Sequence, residues 1–122
     1  MLVHMIVGAC RVHLFLPEND SLKGKRAVVK RLLDRVRGRF NVAAAEVGNL
    51  DDHERSELGF VVVSNDSRHA NSMLDKIAEF CEQNATCEIA GVHVELVPMG
   101  KPVGALMATR EPLDLPESWR KG

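Results

Sequence analysis

At 122 residues the chain suffices for one domain around one core. Its 45% hydrophobic and 27% charged residues are globular proportions, and no run approaches the roughly 18 apolar residues of a membrane span. The formal net charge of −1 conceals an uneven distribution: Leu22 to Arg39 holds eight basic residues and one acid, Asp34, a net of +7 that leaves −8 for the remainder.

The opening "MLVHMIVGAC" lacks the basic flank and small-residue cleavage site of a signal peptide, so it is expected to be the first strand of a cytoplasmic protein. Residues 5–16 alternate, with Ile6, Gly8, Cys10, Val12 and Leu14 on one face and Val7, Ala9, Arg11, His13 and Phe15 on the other. The turn formers "PENDS" end this strand. Ser21 is a candidate N-cap, and Val28, Val29, Leu32, Leu33, Val36 and Phe40 form a helical stripe, predicting an amphipathic helix from Leu22 to about Arg37, stopped by Gly38. "FNVAAAEVGNL" reads as a second strand centred on residues 42–47, "DDHERSE" as a polar connection, and "LGFVVVS" as a third strand. "NDS" caps a second helix whose inward stripe is Ala70, Met73, Leu74, Ile77 and Cys81, ending near Asn84. "CEIAGVHVELV" is a fourth strand, stopped by Pro98. The order β-α-β-β-α-β predicts an α+β, ferredoxin-like domain over residues 1–99, a four-stranded antiparallel sheet with two helices on one face. Residues 100–122, with Pro102, Pro112 and Pro116, read as a loosely ordered tail.

The first helix carries the strongest functional signal. Lys23, Lys25 and Arg26 sit in its first turn, where they add to the positive end of the helix dipole, so stability alone would not select them. Together with Lys30, Arg31, Arg35 and Arg37 they form two outer rows of cations, suited to phosphates of a polyanion. A charged face is most often merely solvated; against that stands the scarcity of acids to neutralise the rows at i,i+4 spacing.

Other features point less far. Cys10, Cys81 and Cys87 are odd in number and form no C-x-x-C pair, which disfavours a disulfide framework or a thiolate zinc site and suggests buried thiols. His4, His13, His53, His69 and His93 show no H-x-x-x-H spacing. His13 and His93 could meet across strands, joined by Glu46 or Glu95 on the open sheet face, but polar cross-strand neighbours explain them as well. Asp51, Asp52, His53 and Glu54 lack a nearby nucleophile or Gly-rich loop, so no catalytic residue, metal or cofactor is expected. Four Phe, one Trp and no Tyr cannot build a base-stacking platform on the open face. Val7, Ala9, Arg11, His13 and Phe15 instead suggest a semi-apolar surface for pairing with a second copy.

Taken together, "MIVGACRVHLFLPENDSLKGKRAVVKRLLDRVRGRFNVAAAEV" and the later "LGFVVVSND" resemble the YlxP-like family of small bacterial proteins, a domain of unknown function. The match spans roughly residues 5–98 and is most specific at Ser21, Leu22, Lys23, Lys25 and Arg26, then at Phe40, Asn41, Val42, Ala45, Glu46 and Val47. The resemblance implies a ferredoxin-like fold and no defined catalytic residues. The family's genes often neighbour those for translation initiation factor two and ribosome-binding factor A, which associates it with RNA. Relatives commonly carry Glu where this chain has Gly24; with Ser21 that Glu would complete a capping box. The expectation is therefore a non-catalytic cytoplasmic protein, without membrane contact, that binds RNA or a ribosomal particle through the first helix. The alternatives are a protein-interaction module meeting an acidic partner, and an enzyme acting on a small phosphorylated ligand.

Overall fold

A computed structural model describes residues 5–99. His4 and the 100–122 tail lie outside them. The elements are β1 (Ile6–Phe15), α1 (Leu22–Arg39), β2 (Ala43–Gly48), β3 (Arg55–Ser64), α2 (Ser67–Asn84) and β4 (Glu88–Pro98). The four strands form one antiparallel sheet in the order β2-β3-β1-β4, the ferredoxin-like topology that the element order predicts.

Strand alternation decides which face is buried. Cys10, Val12 and Leu14 of β1 lie beside Leu58, Phe60 and Val62 of β3 and under both helices. Ala70, Leu74, Ile77 and Cys81 form the buried stripe of α2, at the three- and four-residue spacing of one helix face. Val29, Leu32, Leu33 and Val36 do the same for α1.

Helix starts follow the cap chemistry. Ser21 accepts a hydrogen bond from the Gly24 amide at 3.0 Å, and Asp66 accepts from the Arg68 amide at 2.9 Å. Gly38 does not stop α1, contrary to the expectation; the helix continues to Arg39 and Phe40 closes it, its amide bonded to the Val36 carbonyl. Phe40 then packs edge-on against Phe80 of α2, with ring centroids 5.6 Å apart. That packing holds the chain extended after Arg39 and fixes the helix end without a left-handed glycine.

Candidate polyanion surface on the first helix

The seven cations expected to serve as one track divide into three groups. Lys25 leaves the track altogether. It lies four residues before Val29, on the inward stripe 25-29-32-36, and its side chain is fully buried. Its Nζ stands 3.0 Å from Glu46 Oε2 on β2 and donates to the carbonyls of Asn49 at 2.6 Å and Arg55 at 3.1 Å. Ser56, also buried, donates to the same Glu46 oxygen at 2.7 Å. A buried ammonium must find such partners, because desolvation without them costs several kcal/mol. Lys25 therefore fastens the start of α1 to the β2–β3 hairpin and is no phosphate ligand.

Lys30 and Arg37 form the second group. They bracket Asp34, at 2.7 Å and 3.3 Å. The carboxylate offsets part of the helix's positive field locally, and the two cations hold the Asp34 carboxyl below its ordinary value, Lys30 most strongly. These are exposed pairs of small energy, so either cation can be drawn to another anion. Arg37 also donates to the Ala44 carbonyl.

Lys23, Arg26, Arg31 and Arg35 are the third group. All four are exposed, and none has a carboxylate partner among the described residues. The stretch from Lys23 to Arg35 spans about 18 Å of helix. Arg39, beyond it, is held over the Phe80 ring at 5.6 Å.

The first turn is not an open anion cradle. Gly24 is crowded by Asn19: a Cβ at position 24 would stand 2.6 Å from Asn19 Oδ1. Asn19 donates to the carbonyls of Ser21 and His53, tying the β1–α1 loop to the hairpin connection. That connection is itself a scaffold. Asp52 accepts from the amides of Glu54 and Arg55, at 2.8 Å and 3.1 Å, which holds its carboxyl below the usual range. Asn49 turns there at φ 59, a left-handed conformation that Asn tolerates.

The open sheet face splits into two ends. Val63, Val7 and Val97 form one row across β3, β1 and β4, and Val61 lies beside Ala9 and Ala43 in the next. Val63 is 61% exposed, so this end is an apolar surface. Of the residues expected to pair with a second copy, Val7 and Ala9 lie here. Arg11, His13 and Phe15 lie at the polar end, where Arg11 meets Glu57 at 3.1 Å and Arg55 covers the Phe15 ring at 5.4 Å. Glu46 cannot join His13 and His93, contrary to the pairing that the sequence suggests. It faces the helices, across from buried Leu58, on the opposite side of the sheet. Among the described residues no three His, Cys, Asp or Glu side chains converge as a metal site, and no helix is long and apolar enough to cross a membrane.

The family model described as a protein of unknown function, DUF503, matches residues 7–94, from β1 into β4. The chain belongs to the DUF503 family. Over 77 residues this DUF503 chain is 32% identical to the uncharacterized protein YlxP of Bacillus subtilis (strain 168), covering 63% of this chain and 84% of that one. The YlxP-like resemblance of the sequence motifs is thus upheld. Similar solved structures include the designed protein Foldit4, with TM-score 0.45 and 17% identity over 76% of this chain and 96% of that one. A C-terminal segment of the alpha subunit of aIF2 from Pyrococcus abyssi has TM-score 0.44 and 16% identity, over 80% of this chain and 52% of that one. A third, the designed protein LFR1 1 with ferredoxin fold, has TM-score 0.45 and 15% identity over 81% and 88%.

Proposed function

We propose that this DUF503 protein is a non-catalytic RNA-binding module, acting on RNA alone or within a ribosomal particle through the outer face of α1. The observation that carries the reading is the contrast within one helix. The buried cation, Lys25, has a complete internal set of partners, whereas Lys23, Arg26, Arg31 and Arg35 project outward with none among the described residues. Uncompensated cations in rows attract phosphates and release their counterions. Lys30 and Arg37 extend the surface when phosphate competes with Asp34. Backbone recognition of this kind positions RNA and reads little sequence, in keeping with an open face that offers no aromatic platform.

The test is binding of a structured RNA followed by fluorescence anisotropy across a salt series. Each phosphate that a variant no longer neutralises should flatten the slope of log K against log salt by about 0.7–0.9. Arg31→Glu with Arg35→Glu should weaken binding and flatten the slope by about twice that amount, while leaving the melting temperature nearly unchanged. Unaltered affinity and slope in that variant would sink the reading.

A further inference from the structure

We infer that β4 pairs with β4 of a second copy across a two-fold axis at Val94, joining two four-stranded sheets into one of eight strands. This goes beyond the RNA reading and rests on different residues. β4 is the outer strand beside β1, and among the described residues nothing pairs with its far side.

The backbone orientation on that side follows from the register. The Met99 amide donates to the Met5 carbonyl, and pairing runs unbroken from Pro98 back to Gly91. In an antiparallel ladder alternate residues bond to one neighbour, so the odd-numbered residues of β4 face β1. The amides and carbonyls of Val92, Val94 and Leu96 consequently face outward. Such an edge normally carries lysines, an internal proline or a bulge that discourages pairing. From Gly91 to Val97 this strand has none of these; the register shift opposite His13/Leu14 and Pro98 bound the stretch at its two ends.

The side chains show the same lack of cover. Val92, His93, Val94 and Glu95 are all exposed, on both faces in succession. Val92 and Val94 lie on the helix side, yet they are 41% and 36% exposed while their β1 partners, Val12 and Cys10, are fully buried. The helix layer thus covers β1 fully and β4 only in part, leaving Val92 and Val94 open. An antiparallel partner bringing its own valines to that side would complete the layer.

The stretch "VHVEL", Val92 to Leu96, is self-complementary in this arrangement. With the axis at Val94, His93 lies opposite Glu95 of the second copy and Glu95 opposite its His93, both on the open face. Val94 meets Val94, and Val92 meets Leu96, on the helix face. An imidazole that can hydrogen-bond a carboxylate, and apolar pairs directly across from each other, stabilise a ladder, whereas two carboxylates set opposite each other destabilise it. Moving the axis one residue loses both His93–Glu95 pairs, and centring it on Glu95 sets two carboxylates against each other, so side-chain chemistry selects the register at Val94. About six backbone hydrogen bonds would form over the five residues. α2 packs on β1 and β4 whereas α1 packs on β2, so the two basic helices lie at the outer ends of the assembly and stay open.

Light scattering or sedimentation equilibrium on the full chain at tens of micromolar should return the mass of two chains. Val94→Pro removes only an outward-facing amide, a position where an edge strand accepts proline. It should yield one-chain mass with the circular dichroism of the wild type. His93→Glu sets two carboxylates opposite each other at both symmetric positions and should weaken the dimer about tenfold, and His93→Glu with Glu95→Lys should restore it. A one-chain mass for the wild type overturns the inference, including the case in which the chain's own 100–122 segment occupies the edge. So does a dimer that survives Val94→Pro, or a double variant no tighter than His93→Glu. None of these results depends on RNA, so this inference and the RNA reading fail separately.

Discussion

Lys25→Met is the substitution that most sharply separates structure from binding on α1. It keeps an unbranched side chain of similar length and removes the ammonium. Glu46 then loses its partner while keeping the Ser56 bond, and the carbonyls of Asn49 and Arg55 lose a charged donor. Removing one member of a buried ion pair costs about 3–5 kcal/mol. The Glu46 side chain is 14% exposed, so water relieves part of that, and the lower end, about 3 kcal/mol, is expected. For a domain of this size that corresponds to a fall in melting temperature of about 12–24 °C. Urea unfolding followed by circular dichroism measures it directly. Lys25→Met with Glu46→Leu should recover part of the loss, because a packed apolar pair needs no charged partner. Below about 1 kcal/mol for Lys25→Met, with an unchanged denaturant slope, the buried-pair account fails. A variant of full stability that had lost RNA binding would return Lys25 to the outer surface and refute the division of the helix drawn above.

Gly24→Ala should not stabilise the wild type, although alanine favours a helix by about 1 kcal/mol over glycine, because the new Cβ presses on Asn19 Oδ1; in an Asn19→Ala background the gain should appear in the urea midpoint. The thiols should be poorly reactive at neutral pH: burial, then Asp75, pushes Cys10 up to about 11, and burial, with smaller contributions from Cys10, Glu82 and Cys87, pushes Cys81 up to about 12. Cys87, half-buried and also raised, should be alkylated first, and equal rates at all three would contradict the packing. Because the folded thiols hold their protons above the unfolded value of 9.0, their contribution is complete below that pH and is lost as pH rises through about 11, so the urea midpoint should decline between about pH 8 and 11.

Most of the architecture is legible in the sequence, because most elements have a period that survives tertiary context; the start of β3 is not, since Arg55, Ser56 and Glu57 read as polar connection yet pair with β1. Alternation in residues 5–16 and the stripes of both helices assign the buried faces correctly, and the order of elements then leaves few topologies. The end of α1 is not legible at Gly38, because a glycine there is ambiguous until Phe40 is known to pack on Phe80. Lys25 escapes for another reason. Counting charge along α1 treats every cation alike, whereas its phase, four residues before Val29, puts it inside. Glu46 carries the matching signal: Ala44 and Glu46 alternate on the helix side of β2. Two opposite charges, each in phase with an apolar stripe on neighbouring elements, are a buried pair in waiting. The β4 edge stays hidden because exposure on both faces is a property of where the helix layer ends, which no local pattern records.

The placement of Lys25 and Glu46 also changes what the family motifs mean. "SLK-x-KR" supplies the cap Ser21 and the buried Lys25; "RFNV-x-x-AEV" supplies Phe40, which closes α1, and Glu46, which neutralises Lys25. The two most specific blocks of the sequence meet in space, and what they make is a joint between α1 and the β2–β3 hairpin. Those motif positions hold the domain together whatever the partner is. Lys23 and Arg26 occupy the same first block yet face outward, so motif membership alone cannot mark a residue as binding or structural. Arg31 and Arg35 lie outside both blocks. The informative comparison is therefore across variants of equal stability: losses at Lys23, Arg26, Arg31 and Arg35 report the surface, while losses at Lys25 and Glu46 report the scaffold that presents it.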